Sequence, residues 1–177
     1  MEAASGQHSR PRAPVLGFAL AAAWALADLL TKARIEAWLS SETGAHWTVT
    51  PFLNLALSYN RGVTFGLFSG ETAPTLMILA VTGLIALGIC VWILRLRNIP
   101  MVLSLGLVLG GAIGNIIDRA PDGAVTDFID FHLAGAHWPA FNLADVGVIV
   151  GLGAFVLIDL TSGRRQASAE PRPRAET

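Results

Sequence analysis

Apolar residues fall into four long runs along this chain, separated by shorter stretches where polar and charged residues collect. The first run covers about Val15–Leu30 and extends toward Leu39, the second about Ala73–Leu94, the third about Ile99–Ile117 and the fourth about Phe141–Leu160. The last three approach the ~20 residues that an α-helix needs to cross a hydrocarbon core. The first is interrupted by Asp28 and Lys32, whose i, i+4 spacing places them on one helix face. Arg10 and Arg12 precede it as they would a cleaved leader. The run passes through Asp28 and Lys32 without a small-residue cleavage site near its end, which predicts a retained helix. Between the first two runs, the segment from His46 to Phe68 has partial alternation, in Thr48-Val49-Thr50 and Phe52-Leu53-Asn54-Leu55-Ala56-Leu57. That pattern predicts a small extended or sheet-like element. Asn60-Arg61-Gly62 reads as a turn, followed by Gly66 and Gly70, and Trp47, Phe52, Tyr59, Phe65 and Phe68 suit a membrane interface.

Composition supports this pattern. The chain of 177 residues is 53% hydrophobic and only 14% charged, with a mean hydropathy of +0.57, whereas a soluble domain carries about 25% charged residues. The fold class expected is therefore mainly α: a polytopic membrane protein of four transmembrane helices, with a small extended or β element and a short loop at the outer surface. Residues 14–161 form one membrane domain between segments 1–13 and 162–177, which read as disordered and cytoplasmic. Arg10, Arg12, Arg95, Arg97, Arg164, Arg165, Arg172 and Arg174 fall on one side of a four-span topology, so both termini are expected in the cytoplasm. A net charge of -1 gives no footprint for a nucleic-acid partner. The single cysteine, Cys90, lies mid-run as a packing residue, which rules out an internal disulfide and a cysteine-built zinc cluster.

Candidate chemistry collects at the ends of the third and fourth runs. Asp127 and Asp145 bracket the link between them, and carboxylates at a bilayer edge need a reason. Two carboxyl groups sharing a proton can activate water against a peptide bond. The connection Asp118–Ala140 also holds Asp118, Asp122 and Asp130, with His132, His137 and Trp138, and its apolar middle should dip into the interface. Asp130 rivals Asp127, whose face it would share in a helix. Asp118 reads as a structural partner of Arg119. Asn142 and Asp145 share a helix face, and Asn142 suits a cap, so Asp145 also fits a plain N-terminal acid. The glycines of Gly110-Gly111-Ala112-Ile113-Gly114 read as close helix packing. Two histidines beside aspartates raise a metal site, but no compact ligand spacing supports it. No nucleophile elbow and no phosphate loop is present in the sequence.

Five motifs, in order, resemble the lipoprotein signal peptidase (signal peptidase II) family. They are Asp28-Leu29-Leu30-Thr31-Lys32, Asn60-Arg61-Gly62-Val63-Thr64-Phe65-Gly66, Gly110 to Arg119, Val125-Thr126-Asp127-Phe128-Ile129-Asp130-Phe131, and Phe141-Asn142-Leu143-Ala144-Asp145. Two departures stand out: Val63-Thr64 where the family carries Ala-Ala, and Leu29 where it carries Gln. The resemblance implies an intramembrane aspartic endopeptidase of the bacterial inner membrane, with its active site near the periplasmic face. It removes the signal peptide from diacylglyceryl-modified prolipoproteins by cutting before the lipidated cysteine. It further implies Asp127 and Asp145 as the catalytic dyad, in preference to Asp118 and Asp130. Asn60, Gly62, Asn115, Arg119 and Asn142 would bind substrate, and Asp28, Lys32 and Asp118 would support the pocket. No metal or organic cofactor is implied. The partners expected are the lipidated substrate and the bilayer, with no nucleic acid and no obligate protein partner. Two other classes compete: a proton-coupled transporter using intramembrane carboxylates, and a non-catalytic membrane assembly factor.

Overall fold

A computed structural model describes residues 12–41, 46–62 and 75–169. Four helices, α1 (Arg12–Ser41), α2 (Thr75–Arg95), α3 (Ile99–Asp122) and α4 (Leu143–Ala169), are long and apolar enough to span a bilayer. Between them lie β1 (His46–Thr50), β2 (Leu53–Asn60), β3 (Val125–Leu133) and β4 (Ala136–His137). The termini read as disordered lie outside the described residues up to residue 11 and from residue 170. So do Val63, Thr64, Phe65, Gly66, Phe68 and Gly70.

Local sequence explains where the helices stop. Asn98 caps α3, its side chain accepting from the Met101 amide, and Pro100 sits in the first turn, where a missing N–H costs nothing. Gly123 ends the same helix at φ +80°, returning its N–H to the Arg119 carbonyl. Two boundaries differ from the sequence expectation. α3 continues past Ile117 to Asp122, so Asp118 and Arg119 lie on a helix rather than in a loop. α4 continues past Thr161 to Ala169, because Arg, Gln and Ala after the apolar run are good helix formers. At 30 residues, α1 is about 45 Å long, well beyond a ~30 Å hydrocarbon core. Its far end rises to meet the sheet. There Tyr59 donates to Glu36 at 2.7 Å, and Trp38 packs on Trp47 at 5.4 Å between ring centroids.

α3 is the central post, packed along α1 on one side and α4 on another, while α2 leans almost wholly on α3. The buried core is small: Ala13, Ala21, Ala86, Ile93, Val102, Leu105 and Leu109. Large apolar side chains such as Leu26, Leu76, Leu84, Ile149 and Leu157 face outward, as a lipid-facing surface requires.

The sheet is antiparallel, in the order β1-β2-β3-β4. It covers the end where α1 and α3 finish and α4 begins. Most of the acidic connection expected between the last two spans is thus a hairpin rather than a short loop. Val125-Thr126-Asp127-Phe128-Ile129-Asp130-Phe131 is rich in β-branched and aromatic residues, and β2 supplies a partner strand. Because it is a strand, Asp127 and Asp130 point to opposite faces. Asp130 turns away to accept from Asn54 at 2.9 Å and to pair with His137 at 2.7 Å. Those bonds, Asn54 first, hold its carboxyl below the usual range.

Candidate active site

The first turn of α4 organises the site. Asn142 precedes the helix and accepts the Asp145 amide on Oδ1 at 3.1 Å, while Asp145 Oδ2 accepts the Asn142 amide at 3.3 Å. This is a reciprocal capping box, with aspartate in the position that glutamate often fills. Asp28, fully buried on α1, takes the Ala144 amide at 2.8 Å, so a second free donor of the turn is met from another helix. Trp24 fixes the same turn by donating to the Leu143 carbonyl at 3.1 Å. Gly111 of α3 lies against Ala144, where an added Cβ would collide with the Ala144 carbonyl. The carboxylate of Asp145 is therefore set by backbone geometry before it meets any other side chain.

Asp127 comes from β3, opposite Ser58 in the register, and is only 3% exposed. Asn142 Nδ2 donates to its Oδ1 at 2.7 Å, and Asn60 Nδ2 to its Oδ2 at 3.2 Å. One asparagine thus holds both carboxylates: its amide nitrogen on Asp127, its amide oxygen on the Asp145 backbone. Burial pushes the Asp127 carboxyl up from 3.8 to about 6, and the negative charge of Asp145 adds to the rise. The bonds from Asn60 and Asn142 and the charge of Lys32 oppose it.

Behind the two acids lies a polar layer. Asn115 of α3 donates to Asp145 Oδ1 at 3.0 Å, and its own oxygen accepts from Asn142 at 3.1 Å and from Lys32 at 2.8 Å. Lys32 also meets Asp28 at 2.8 Å and Asp118 at 3.0 Å. Asp118 accepts the Thr126 amide of β3 at 2.8 Å, which makes it a strand anchor. Arg119 donates to the carbonyls of Asn60 at 3.1 Å and Gly62 at 3.3 Å, clamping the chain as it leaves β2. Gly62 contributes backbone only, its amide closing on the Asn60 side chain at 3.1 Å.

Fold and site together bring all ten sequence-selected residues into one connected region: Asp127, Asp145, Asn60, Asn115 and Asn142 in front, with Asp28, Lys32, Asp118, Arg119 and Gly62 behind. Some participants escaped the sequence reading. Trp24 sits in an apolar run that carries no polar signal. Thr126, whose carbonyl lies 3.4 Å from Asn142 Nδ2, was visible only as a neighbour of Asp127. His132 and His137 stack on each other on the far side of the sheet, and among the described residues no metal-holding cluster of acidic, histidine or cysteine side chains forms.

Chemically, this is a pair of carboxyl groups, Asp127 buried and Asp145 half-buried, at the end of membrane-length helices. One has a proton affinity raised toward neutrality, and both are held by amide donors. Such a pair can share a proton, take one from water and polarise a carbonyl.

The chain is similar to known proteins over most of its length. A family model described as signal peptidase (SPase) II matches residues 20–161. The "Lipoprotein signal peptidase" of Ralstonia nicotianae is 39% identical over 154 residues, spanning 86% of this chain and 87% of that protein. That of a Methylobacterium species is 36% identical over 160 residues, spanning 90% and 96%. That of Burkholderia mallei is 42% identical over 141 residues, spanning 78% and 82%. Among solved structures, a "Bacterial membrane enzyme" determined at 2.3 Å superposes with a TM-score of 0.78 at 26% identity, covering 94% of this chain and all of that one. A second, at 1.9 Å, gives a TM-score of 0.70 at 27% identity, covering 88% and 98%.

Proposed function

This chain belongs to the signal peptidase II family, and from that premise we propose that it is an intramembrane aspartic endopeptidase whose dyad is Asp127 and Asp145. Its activity is the removal of signal peptides from prolipoproteins. The transporter reading finds no support in the family, and the two acids stand at one end of the bundle, on β3 and on the first turn of α4, rather than mid-span. The observation that carries the dyad is the single amide of Asn142, which ties a buried Asp127 to the first turn that bears Asp145.

In this mechanism one carboxylate takes a proton from the attacking water, while the protonated partner polarises the scissile carbonyl. The two carboxyl groups share one proton, and neither role is fixed to one residue. General acid–base assistance of this kind contributes about 10²–10⁴-fold in rate. The substrate is a precursor already carrying diacylglycerol on its lipobox cysteine, cut just before that residue. Its signal helix and acyl chains enter sideways between the apolar helices. Asn60, Asn115, Arg119 and Asn142 shape the pocket. The sheet end faces outward in a bacterial inner membrane, and both termini lie in the cytoplasm, in keeping with the arginines at the opposite end. No cofactor and no obligate protein partner enter the scheme.

The test is a gel-shift assay on purified enzyme with lipidated precursor. Asp127→Asn and Asp145→Asn are each expected to abolish cleavage while the protein still inserts. Cleavage retained by either variant overturns the dyad.

A further inference from the structure

The geometry points to Lys32 as a positioning residue for the dyad, acting through the amide of Asn115; this rests on the assignment of Asp127 and Asp145 above. Lys32 is 3% exposed and lies in a membrane-length helix. Burying an ammonium there is costly unless every proton is used. Its ammonium lies within ion-pair distance of Asp28 Oδ2 at 2.8 Å and Asp118 Oδ2 at 3.0 Å, and it donates to Asn115 Oδ1 at 2.8 Å.

The third contact sets a direction. An ammonium donates and never accepts. The atom of Asn115 that faces Lys32 must therefore be the oxygen, and the amide nitrogen must face the other way, toward Asp145. The same oxygen accepts from Asn142 Nδ2, so that group is also presented as a donor, and its other bond runs to Asp127. A cation two side chains away thus orders two amides so that both aim N–H groups at the dyad. Without it, the orientation of Asn115 rests on its bonds to Asp145 and Asn142 alone. Turned over, it would set an oxygen against the Asp145 carboxylate.

An ion-pair role alone does not require the Asn115 contact, since Asp28 and Asp118 both stand within ion-pair distance of the lysine. The charged groups around Asp127 are Asp145 on α4, Lys32 on α1 and Arg119 on α3. Among these, Lys32 alone reaches the dyad through a continuous chain of side-chain hydrogen bonds.

The variants are Lys32→Met, close in volume, and Lys32→Met combined with Asp118→Asn, which removes one of the carboxylates left unpaired. The amide introduced by Asp118→Asn keeps an oxygen for the Thr126 N–H. Thermal unfolding, kcat, KM and the pH profile are measured on lipidated precursor. The expected result for the double variant is a folded protein with kcat lowered about 10²-fold, KM little changed, and the basic limb of the profile moved to higher pH. Unchanged kinetics with an unmoved limb, or a loss confined to KM, overturns the inference. So does unfolding of both variants, which would make Lys32 a structural pin. Asp127→Asn runs alongside: if it cleaves like the parent, the dyad assignment fails instead.

Discussion

Asn142 carries more of the site than either acid does. Its oxygen caps α4, its nitrogen holds Asp127, and its backbone N–H meets Asp145. Asn142→Ala removes the cap and strands a buried carboxylate. We expect about 1–2 kcal/mol lost in denaturant unfolding and at least a hundredfold fall in cleavage rate, about the worth of one acid–base assist. The Asp127 carboxyl makes a sharper statement. Its affinity for a proton is raised from 3.8 to about 6 in the folded protein, so its contribution to stability is complete below about pH 4 and is lost as pH rises through about 6. Above that, the folded protein holds a carboxylate that burial and Asp145 both disfavour. Asp127→Asn should therefore unfold at a higher temperature than the parent at pH 8, by up to about 3 kcal/mol in free energy. The gap should close near pH 4, as read by thermal melts across pH. In the parent, kcat/KM should show a basic limb near pH 6 rather than in the ordinary carboxylate range.

Between elements, what matters is how close α3 comes to its neighbours. Gly111 lets the α4 backbone approach until no Cβ fits, and Gly114 meets Asp28, whose Oδ2 would lie 2.6 Å from an added Cβ. These contacts place the first turn of α4 against both α1 and α3. Gly111→Ala must push α4 outward and carry Asp145 with it. A loss of about 1–3 kcal/mol is expected, with activity falling further than stability, because a displacement of about 1 Å can cost 10²-fold in rate. Gly83→Ala on α2, where an added Cβ meets nothing within 4 Å, is the contrast. It should be neutral or stabilise by about 0.5–1 kcal/mol through helix propensity. Paired melts and initial rates separate the two.

For the whole molecule, sidedness decides which substrates can reach the site. The sheet, the acids and the α4 first turn share one end, while Arg95 and Arg97 mark the α2–α3 link at the other. On a Cys90→Ser background, Trp47→Cys should react with a membrane-impermeant maleimide added from the periplasmic side. Arg97→Cys should react only after permeabilisation. The reverse pattern would place the site in the cytoplasm and remove access to an exported substrate.

Hydrophobic run length alone determined the four spans, because a hydrocarbon core admits only long uncharged helices. The motif order alone marked the two acids and the residues around them. What the sequence left open was which groups share a side. A helical spacing would have put Asp130 beside Asp127. Pairing with β2 made the segment a strand and sent Asp130 to the opposite face, since side chains alternate there. The junction of Asp28 with Ala144, and of Lys32 with Asn115, joins residues 116 and 83 positions apart. Neither local propensity nor periodicity carries such information. Only the approach of α1, α3 and α4 across their small residues brings those groups within bonding distance.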